Sequence, residues 1–340
     1  MIDRRDLVTR HNPVLQADRP ADPVALAALT ASPLSVGNGE FAFTADFTGL
    51  QTLRDAYRLV PLCTMSQWGW HGFPVDMEEN ALRLKPFDTY GRVVGYASDA
   101  TGQQRLFDDL RQNPHRLHLG AVGFRFSESV WGGRTADAQD FRGASQSLDL
   151  WNGLLGSAFS VFGRSVVTET LVDPDSDTLA AHITLDASWD PEGESAAVEI
   201  AFPYGSPAKD AADWNAADRH HSDVLSGDGQ RVLIRRTLDS DIYYVDLRFE
   251  GAVFRQSGPH RFELQLRERE AWFSCRFTRE SPAGLPGEYP DLRQRTSAHW
   301  HAFWTCGGVM RLRDSADKRA FELERRVVLS QYLTAIQCAG

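Results

Sequence analysis

The feature that most constrains the fold is a period-two pattern of apolar residues from about Leu117 to Phe277. Successive side chains of a β-strand point to opposite faces, so this spacing places the apolar side chains on one face of a sheet. Four sets show the pattern: Leu179, Ala181, Ile183 and Leu185; Val198, Ile200 and Phe202; Tyr243, Val245, Leu247 and Phe249; and Phe262, Leu264 and Leu266. The pattern predicts a series of half-buried strands.

Clusters of turn-forming residues separate these runs. They are Asp173-Pro174-Asp175-Ser176, Asp190-Pro191-Glu192-Gly193, Ser226-Gly227-Asp228-Gly229 and Ser257-Gly258-Pro259. Such clusters favour the tight connections that hairpins require, so the bulk of the chain is predicted to be antiparallel β. Two more polar stretches, 131–155 and 206–223, are expected to be long loops or edge insertions.

The composition of the chain changes at residues 281–287, a Pro- and Gly-rich stretch that stops strands and predicts a domain boundary. Residues 315–337 contain neither Gly nor Pro, and Leu329, Leu333 and Ile336 recur at helical spacing. We expect a helix there, capped by Asp314 or Ser315. The sequence therefore predicts a β domain over 1–285 and a helical segment over 286–340.

Charge and composition exclude several classes of function. The 340 residues are 42% hydrophobic, which is typical of a globular protein, and the formal net charge of -10 disfavours a nucleic-acid partner. No secretory signal is evident, and no stretch approaches the ~20 apolar residues of a membrane span, so we expect a cytoplasmic protein without a membrane partner. The four cysteines form no C-x-x-C pair and are expected to be buried free thiols; no metal or other cofactor is predicted.

Two stretches carry the side chains best suited to binding. Gly37-Asn38-Gly39 precedes a predicted strand and is either a tight turn or part of a ligand site. The stretch 65–74 places Trp68, Trp70 and His71 beside glycines and a proline. Indole rings stack on the C–H face of a sugar while polar groups bind its hydroxyls, although the tryptophans could equally fill the core. The candidate binding residues are therefore Asn38, Trp68, Trp70 and His71.

No catalytic residue is assigned from the sequence. Glycoside hydrolysis uses two carboxyl groups at a defined separation. The acids near the two stretches are Glu40, Asp46, Asp76, Glu78 and Glu79, and a nearby acid is expected by chance in a chain with 46 Asp and Glu residues. Motifs for serine hydrolases, phosphate-binding loops, zinc proteases and dinucleotide binding are absent.

Several segments, in order, resemble proteins related to glycoside hydrolase family 65. They are 10–13 (RHNP), 32–43 (SPLSVGNGEFAF), 48–52 (TGLQT), 67–71 (QWGWH), 300–304 (WHAFW) and 322–333 (ELERRVVLSQYL). The resemblance covers essentially the whole chain, and the last segment is its most specific part.

This resemblance implies an amino-terminal β-supersandwich, a helical linker and then an (α/α)6 barrel that supplies the catalytic glutamate. Family members are inverting hydrolases or phosphorylases of α-glucosides. The chain resembles the supersandwich, the linker and the first helix of the barrel, so we expect a fragment that is inactive without the barrel, with the α-glucoside bound through that missing barrel. Related phosphorylases tend to dimerise, which leaves a homodimer open. The alternative is a non-catalytic carbohydrate-binding or scaffolding β-sandwich that uses the Trp68–Trp70 loop.

Overall fold

The computed structural model describes residues 2–74, 82–128, 134–190 and 195–338. Its strands, in chain order, are β1 (Val14–Ala17), β2 (Leu34–Gly37), β3 (Phe41–Ala45), β4 (Thr64–Ser66), β5 (Trp70–His71), β6 (Lys85–Thr89), β7 (Arg92–Tyr96), β8 (His115–Arg116), β9 (Ala121–Phe126), β10 (Phe141–Asp149), β11 (Leu154–Val161), β12 (Arg164–Val172), β13 (Thr178–Leu185), β14 (Ala196–Ala201), β15 (Tyr204–Gly205), β16 (Ala212–Asp213), β17 (His220–Asp228), β18 (Arg231–Leu238), β19 (Asp241–Glu250), β20 (Ala252–Gly258), β21 (Arg261–Leu266) and β22 (Glu270–Thr278). The helices are α1 (Arg4–Thr9), α2 (Pro23–Ala31), α3 (Gln104–Gln112), α4 (Tyr289–Thr305) and α5 (Ala320–Gln337).

One layer of the fold is a nine-stranded antiparallel sheet. Its strands lie in the order β1-β10-β11-β12-β13-β22-β19-β18-β17. Because β13 and β19 both pair with β22, two meanders of hairpins meet at that strand. The predicted apolar sets on β13 and β19 are buried, as the period-two pattern requires.

The second layer consists of two smaller antiparallel sheets, β20-β21-β14-β9 and β2-β3-β4. Both face the large sheet. Phe124 of β9 lies 6.0 Å from Phe159 of β11, and Phe41 of β3 lies 5.6 Å from Phe277 of β22, between ring centroids. The buried apolar side chains of the two layers form one continuous core. The prediction of a mainly β, antiparallel sandwich is confirmed.

Helix α4 lies on the outer face of the nine-stranded sheet. Tyr289 and Leu292 pack on Leu171 and Ala180, which point away from the main core. Further along α4, Trp300 packs on Tyr332 of α5 with ring centroids 4.7 Å apart. The central strands are therefore buried on both faces.

Helix α5 packs on the edge of the small β2–β3 sheet. The Tyr332 hydroxyl donates to the carbonyl of Ser35 at 3.1 Å, and the Gly39 N–H donates to the carbonyl of Ile336 at 3.1 Å. Gly37 is required at this contact, because a Cβ there would lie 2.7 Å from the Ile336 carbonyl oxygen. Helix α5 thus contacts the sandwich at the Gly37-Asn38-Gly39 turn.

The prediction of a long loop or edge insertion over 131–155 is wrong for Phe141–Asp149, which form β10, the second strand of the nine-stranded sheet. Its buried positions alternate, but a polar residue, Gln146, stands between the buried Ala144 and Leu148. Gln146 is buried, and its amide donates to the Asp46 carbonyl at 2.7 Å and to Ser157 Oγ at 3.0 Å. Hydrogen bonding to neighbouring segments made this burial possible, and the hydrophobic pattern does not reveal it. In the predicted loop 206–223, β17 already begins at His220.

Two further expectations are corrected. Helix α5 begins at Ala320 with Arg319 at the N-cap position and no side-chain cap, so neither Asp314 nor Ser315 caps it. Asp317 instead accepts from the Arg319 N–H at 2.9 Å, which holds the preceding residues in a turn. All four cysteines are free, but Cys306 and Cys338 are exposed.

Candidate functional site

Trp68, Trp70 and His71 lie on a short connection between two sheets. The connection leaves β4, turns sharply at Gln67–Gly69, and pairs as β5 with β8. The Gly69 N–H donates to the Ser66 carbonyl at 3.0 Å, and the Gln67 N–H donates to the Glu40 carbonyl at 2.7 Å. These bonds hold the three side chains in place along one edge of the sandwich.

The Trp68 side chain is half-buried and fixed by a carboxylate. Its indole Nε1 and the Ser66 hydroxyl each donate to Asp177 Oδ2 at 2.6 Å. Burial raises the pKa of Asp177; the two hydrogen bonds lower it in part, and the charge of Glu40 raises it further. Trp68 therefore has a structural task as well as a face available to a ligand.

The Trp70 side chain is 45% exposed. Its Nε1 donates to the Gln67 carbonyl at 3.0 Å, and the Arg116 guanidinium lies 4.1 Å from its ring centroid. The cation–π contact and the hydrogen bond hold the indole in one orientation. An aromatic ring that is both exposed and oriented suits ligand binding.

The His71 side chain is buried and lies behind the site. Its Nδ1 is 2.8 Å from Asp241 Oδ2, and its Nε2 is 3.3 Å from Asp239 Oδ2. The ring also packs edge-on against Tyr204 and His115. His71 therefore orients Asp241, and Asp241 is the group of this pair that a ligand could reach.

A cavity of about 320 Å³ lies at this place. Trp68, Trp70, Asp241, Tyr243 and Arg279 line it, together with His71. Indole rings beside a carboxylate and a guanidinium can stack on a sugar ring and bond its hydroxyls. Among its described lining residues Asp241 is the only carboxyl group, whereas glycoside hydrolysis uses two.

Sequence reasoning missed Asp241 and Arg279. Asp241 begins β19 after a hairpin turn, and Arg279 follows β22. Both lie far from Trp68 along the chain and reach it because β19 pairs with β22. Asp239 has a backbone φ of 49° in this hairpin turn. An Asp at such a position indicates the turn and gives no sign of the binding site.

The structure does not bring Asn38 to this cavity. Its amide nitrogen donates to the carbonyls of Asp173 at 3.0 Å and Ser176 at 3.1 Å. Its amide oxygen accepts from the N–H groups of Glu40 and Phe41. These four bonds fix the turn that meets α5, and Asn38 lies at one end of a separate groove along α4 and α5.

Of the acidic residues singled out in the sequence, the structure describes Glu40 and Asp46. Glu40 is exposed, and Asp46 is fully buried. Asp46 accepts from the Thr48 N–H at 2.8 Å and from the Leu53 N–H at 2.6 Å, and burial raises its pKa to about 6. Asp46 therefore organises the 46–53 turn. Asp76, Glu78 and Glu79 lie outside the described residues.

Within the described ranges no group of three or more His, Cys, Asp or Glu side chains could hold a metal ion. Of the helices that the structure describes, none has the length and apolar character needed to cross a bilayer.

No protein-family model and no curated protein sequence matches this chain. Solved structures do resemble it. A protein provisionally described as a kojibiose phosphorylase, from the human microbiome, superposes with a TM-score of 0.55 and 11% sequence identity. The match covers 92% of this chain and 40% of that one, so the chain spans less than half the length of the similar protein. At this identity the likeness establishes a shared fold alone.

Two other structures are less similar. A bacterial glucoamylase complexed with acarbose has a TM-score of 0.43 and 8% identity, covering 62% of this chain and 35% of its own. A family GH92 α-mannosidase of Bacteroides thetaiotaomicron has a TM-score of 0.30 and 9% identity, covering 65% of this chain and 32% of its own. At these scores they add nothing to the assignment of the fold.

Proposed function

We propose that this chain is the β-sandwich and linker portion of a carbohydrate-active enzyme similar to glycoside hydrolase family 65. In this proposal residues 1–285 form the sandwich, and 286–340 form the linker and the first helix of an (α/α)6 barrel. The observation that carries the proposal is the shared fold with a protein described as a kojibiose phosphorylase, of which this chain matches 40%. The reaction proposed for the whole enzyme is inverting hydrolysis or phosphorolysis of an α-glucoside.

The surface of α4 and α5 supports a barrel at this position. A groove of about 720 Å³ runs along the two helices, lined by Phe303, Val327 and Ala335 among others. On α5, Leu323 lies one turn before Val327 on the same face and is 52% exposed. Apolar side chains grouped in this way favour a covering layer, and further helices of a barrel are the occupant that the shared fold supports.

The sandwich on its own is proposed to be inactive. The cavity at Trp70 has a single carboxyl group among its described lining residues, and inverting hydrolysis uses two about 6.5–9.5 Å apart. The sandwich would organise the barrel, and the barrel would supply the general acid and the sugar pocket.

The first test is the intact mass of the protein isolated from its source cells, combined with assays of that protein on α-glucosides. We expect a mass well above 38.0 kDa, or a tightly bound partner chain, and release of glucose or a glucose phosphate with inverted anomeric configuration. The 340-residue chain alone should release neither. A native mass of 38.0 kDa with no partner and no turnover would contradict the proposal.

Hydrogen exchange at α5 provides a second test. The amides of Ala320–Gln337 should exchange faster in the isolated chain than in the native protein, because the groove would be uncovered. Equal protection in both would contradict a covering layer.

The alternative is a carbohydrate-binding module without catalysis, and the cavity beside the exposed Trp70 favours it. Calorimetric titration of the chain with a panel of glucosides tests this function. Binding that disappears in Trp70→Ala and persists in Tyr90→Ala, an equally drastic change at a fully exposed aromatic residue, would support it. No binding to any glucoside would contradict it.

A further inference from the structure

A second cavity shares no lining residue with the Trp70 site, and none of the functions above uses it. Its volume is about 390 Å³. It is lined by the cations Arg54, Arg58 and Lys209, the carboxylates Asp55 and Asp210, the buried His118 and the indole of Trp214.

Arg54 is the central observation. Its guanidinium lies 4.0 Å from the ring centroid of Trp214 and makes no hydrogen bond or ion pair within the described part of the chain. Burial lowers the pKa of Arg54, and the positive charge of Arg261 lowers it further. The carboxylates of Glu199 and Asp55 offset this only in part. A partly buried cation with unused donors is costly unless a ligand or water supplies acceptors.

The other two cations also keep donors free. Arg58 uses only Nε, which donates to the Asp55 carbonyl at 3.4 Å, and Lys209 donates to the Leu59 carbonyl. Neither Asp55 nor Asp210 forms an ion pair with any of the three in the described residues. The cavity therefore has three cations facing two carboxylates in a chain whose net charge is -10.

His118 does not compete for such a ligand. Its Nε2 lies 3.2 Å from the Leu62 carbonyl and its Nδ1 accepts from the Gly120 N–H, so both ring nitrogens are occupied. The wall that His118 forms is neutral, since burial lowers its pKa to about 4.

We propose that this cavity binds a phosphate group, carried by a small phosphorylated molecule or as free phosphate. A guanidinium offers the planar pair of donors that a phosphate accepts, and a lysine adds a point charge. The volume leaves room for a small organic portion beside Trp214, which is an aromatic surface of the kind that packs on sugars. The site is separate from the Trp70 cavity and does not depend on the proposed function.

The test is calorimetric titration of the intact chain with inorganic phosphate, glucose 6-phosphate and glucose. We expect both phosphates to bind and glucose not to compete with them. Tighter binding of glucose 6-phosphate would assign the source to a phosphate ester, whereas equal binding would assign it to the phosphate group alone.

The variants Arg54→Gln and Lys209→Gln examine the two kinds of donor. Loss of a charge-assisted contact should weaken binding about tenfold in Arg54→Gln and about threefold in Lys209→Gln. Arg105→Gln is the matched control, because it removes one positive charge from a side chain that is 90% exposed and does not line the cavity. Its affinity should stay within about twofold.

Two results would overturn the proposal. One is the absence of binding by either phosphate, and the other is an equal loss of affinity in Arg54→Gln and Arg105→Gln, which would indicate nonspecific attraction. If Arg54→Gln fails to fold, Lys209→Gln decides the question, because Lys209 is an exposed side chain whose removal leaves the core intact. Unchanged affinity in that variant would then contradict the site.

Discussion

The contact between Gly153 and Trp300 sets the position of α4, and it provides the sharpest test of the fold. Gly153 lies in the turn between β10 and β11 at a φ of +68°. A Cβ there would lie 2.0 Å from Cδ1 and Nε1 of Trp300, far inside van der Waals contact. Gly153→Ala must therefore displace the buried indole or the helix that carries it.

The cost of Gly153→Ala has two parts. An alanine at positive φ costs about 1 kcal/mol whatever surrounds it. Overpacking a buried contact costs a further 1–3 kcal/mol, roughly. We expect the free energy of unfolding to fall by about 3 kcal/mol in total.

Gly163→Ala is a matched control. Gly163 lies at the other end of β11 at a φ of +77°, and a Cβ there would meet nothing within 4 Å. This variant should therefore lose only the backbone part, about 1 kcal/mol. The difference of about 2 kcal/mol between the two variants measures the contact with Trp300.

The assay is urea unfolding of the wild type and both variants, followed by tryptophan fluorescence and circular dichroism. In a Trp300→Leu background, which removes the ring, the cost of Gly153→Ala should fall to that of Gly163→Ala. If Gly153→Ala and Gly163→Ala lose the same stability to within about 0.5 kcal/mol, the described packing of α4 is wrong.

Three further predictions concern polar groups that are buried or half-buried. Glu324→Gln should lower the free energy of unfolding by about 3 kcal/mol, because the buried Glu324 carboxylate binds Arg10, His11 at 2.7 Å and a backbone N–H. Urea unfolding measures this loss, and an unchanged midpoint would contradict the stabilising role of these contacts. Asn38→Ala should destabilise the chain by about 2 kcal/mol through four lost hydrogen bonds. Any glucoside binding at Trp70 should be unaltered. Weaker binding in calorimetry would refute the separation of Asn38 from the Trp70 cavity. Acidification from pH 7.5 to 5 should lower the free energy of unfolding by about 2 kcal/mol through His118. The pKa of His118 is about 4 in the fold, below its ordinary 6.5, so its contribution to stability is present above pH 6.5 and is lost as the pH falls. In phosphate-free buffer His118→Gln should lose correspondingly less stability, and equal losses in the variant and the wild type would exclude His118 as the cause.

The strands with alternating apolar residues could be predicted from sequence. Leu179 to Leu185 and Tyr243 to Phe249 lie on β13 and β19 with their apolar sides buried, because alternation along a strand is a local property. Strand β10 could not be predicted, since Gln146 is buried through hydrogen bonds to residues about 100 and 11 positions away. Helix α5 begins at Ala320 and not at Ser315, because the preceding residues form a turn at Asp317, which helical periodicity does not indicate.

The candidate site divides in the same way. The sequence alone placed Trp68 and Trp70 on a glycine-flanked loop, because turn residues act over a few positions, and it left open whether the two rings fill the core. Only the tertiary structure decided that Asp241 and Arg279 join them and that Asn38 does not. Which strands pair, and which loops they bring to one edge, depends on how the whole core packs, and no local pattern encodes that arrangement.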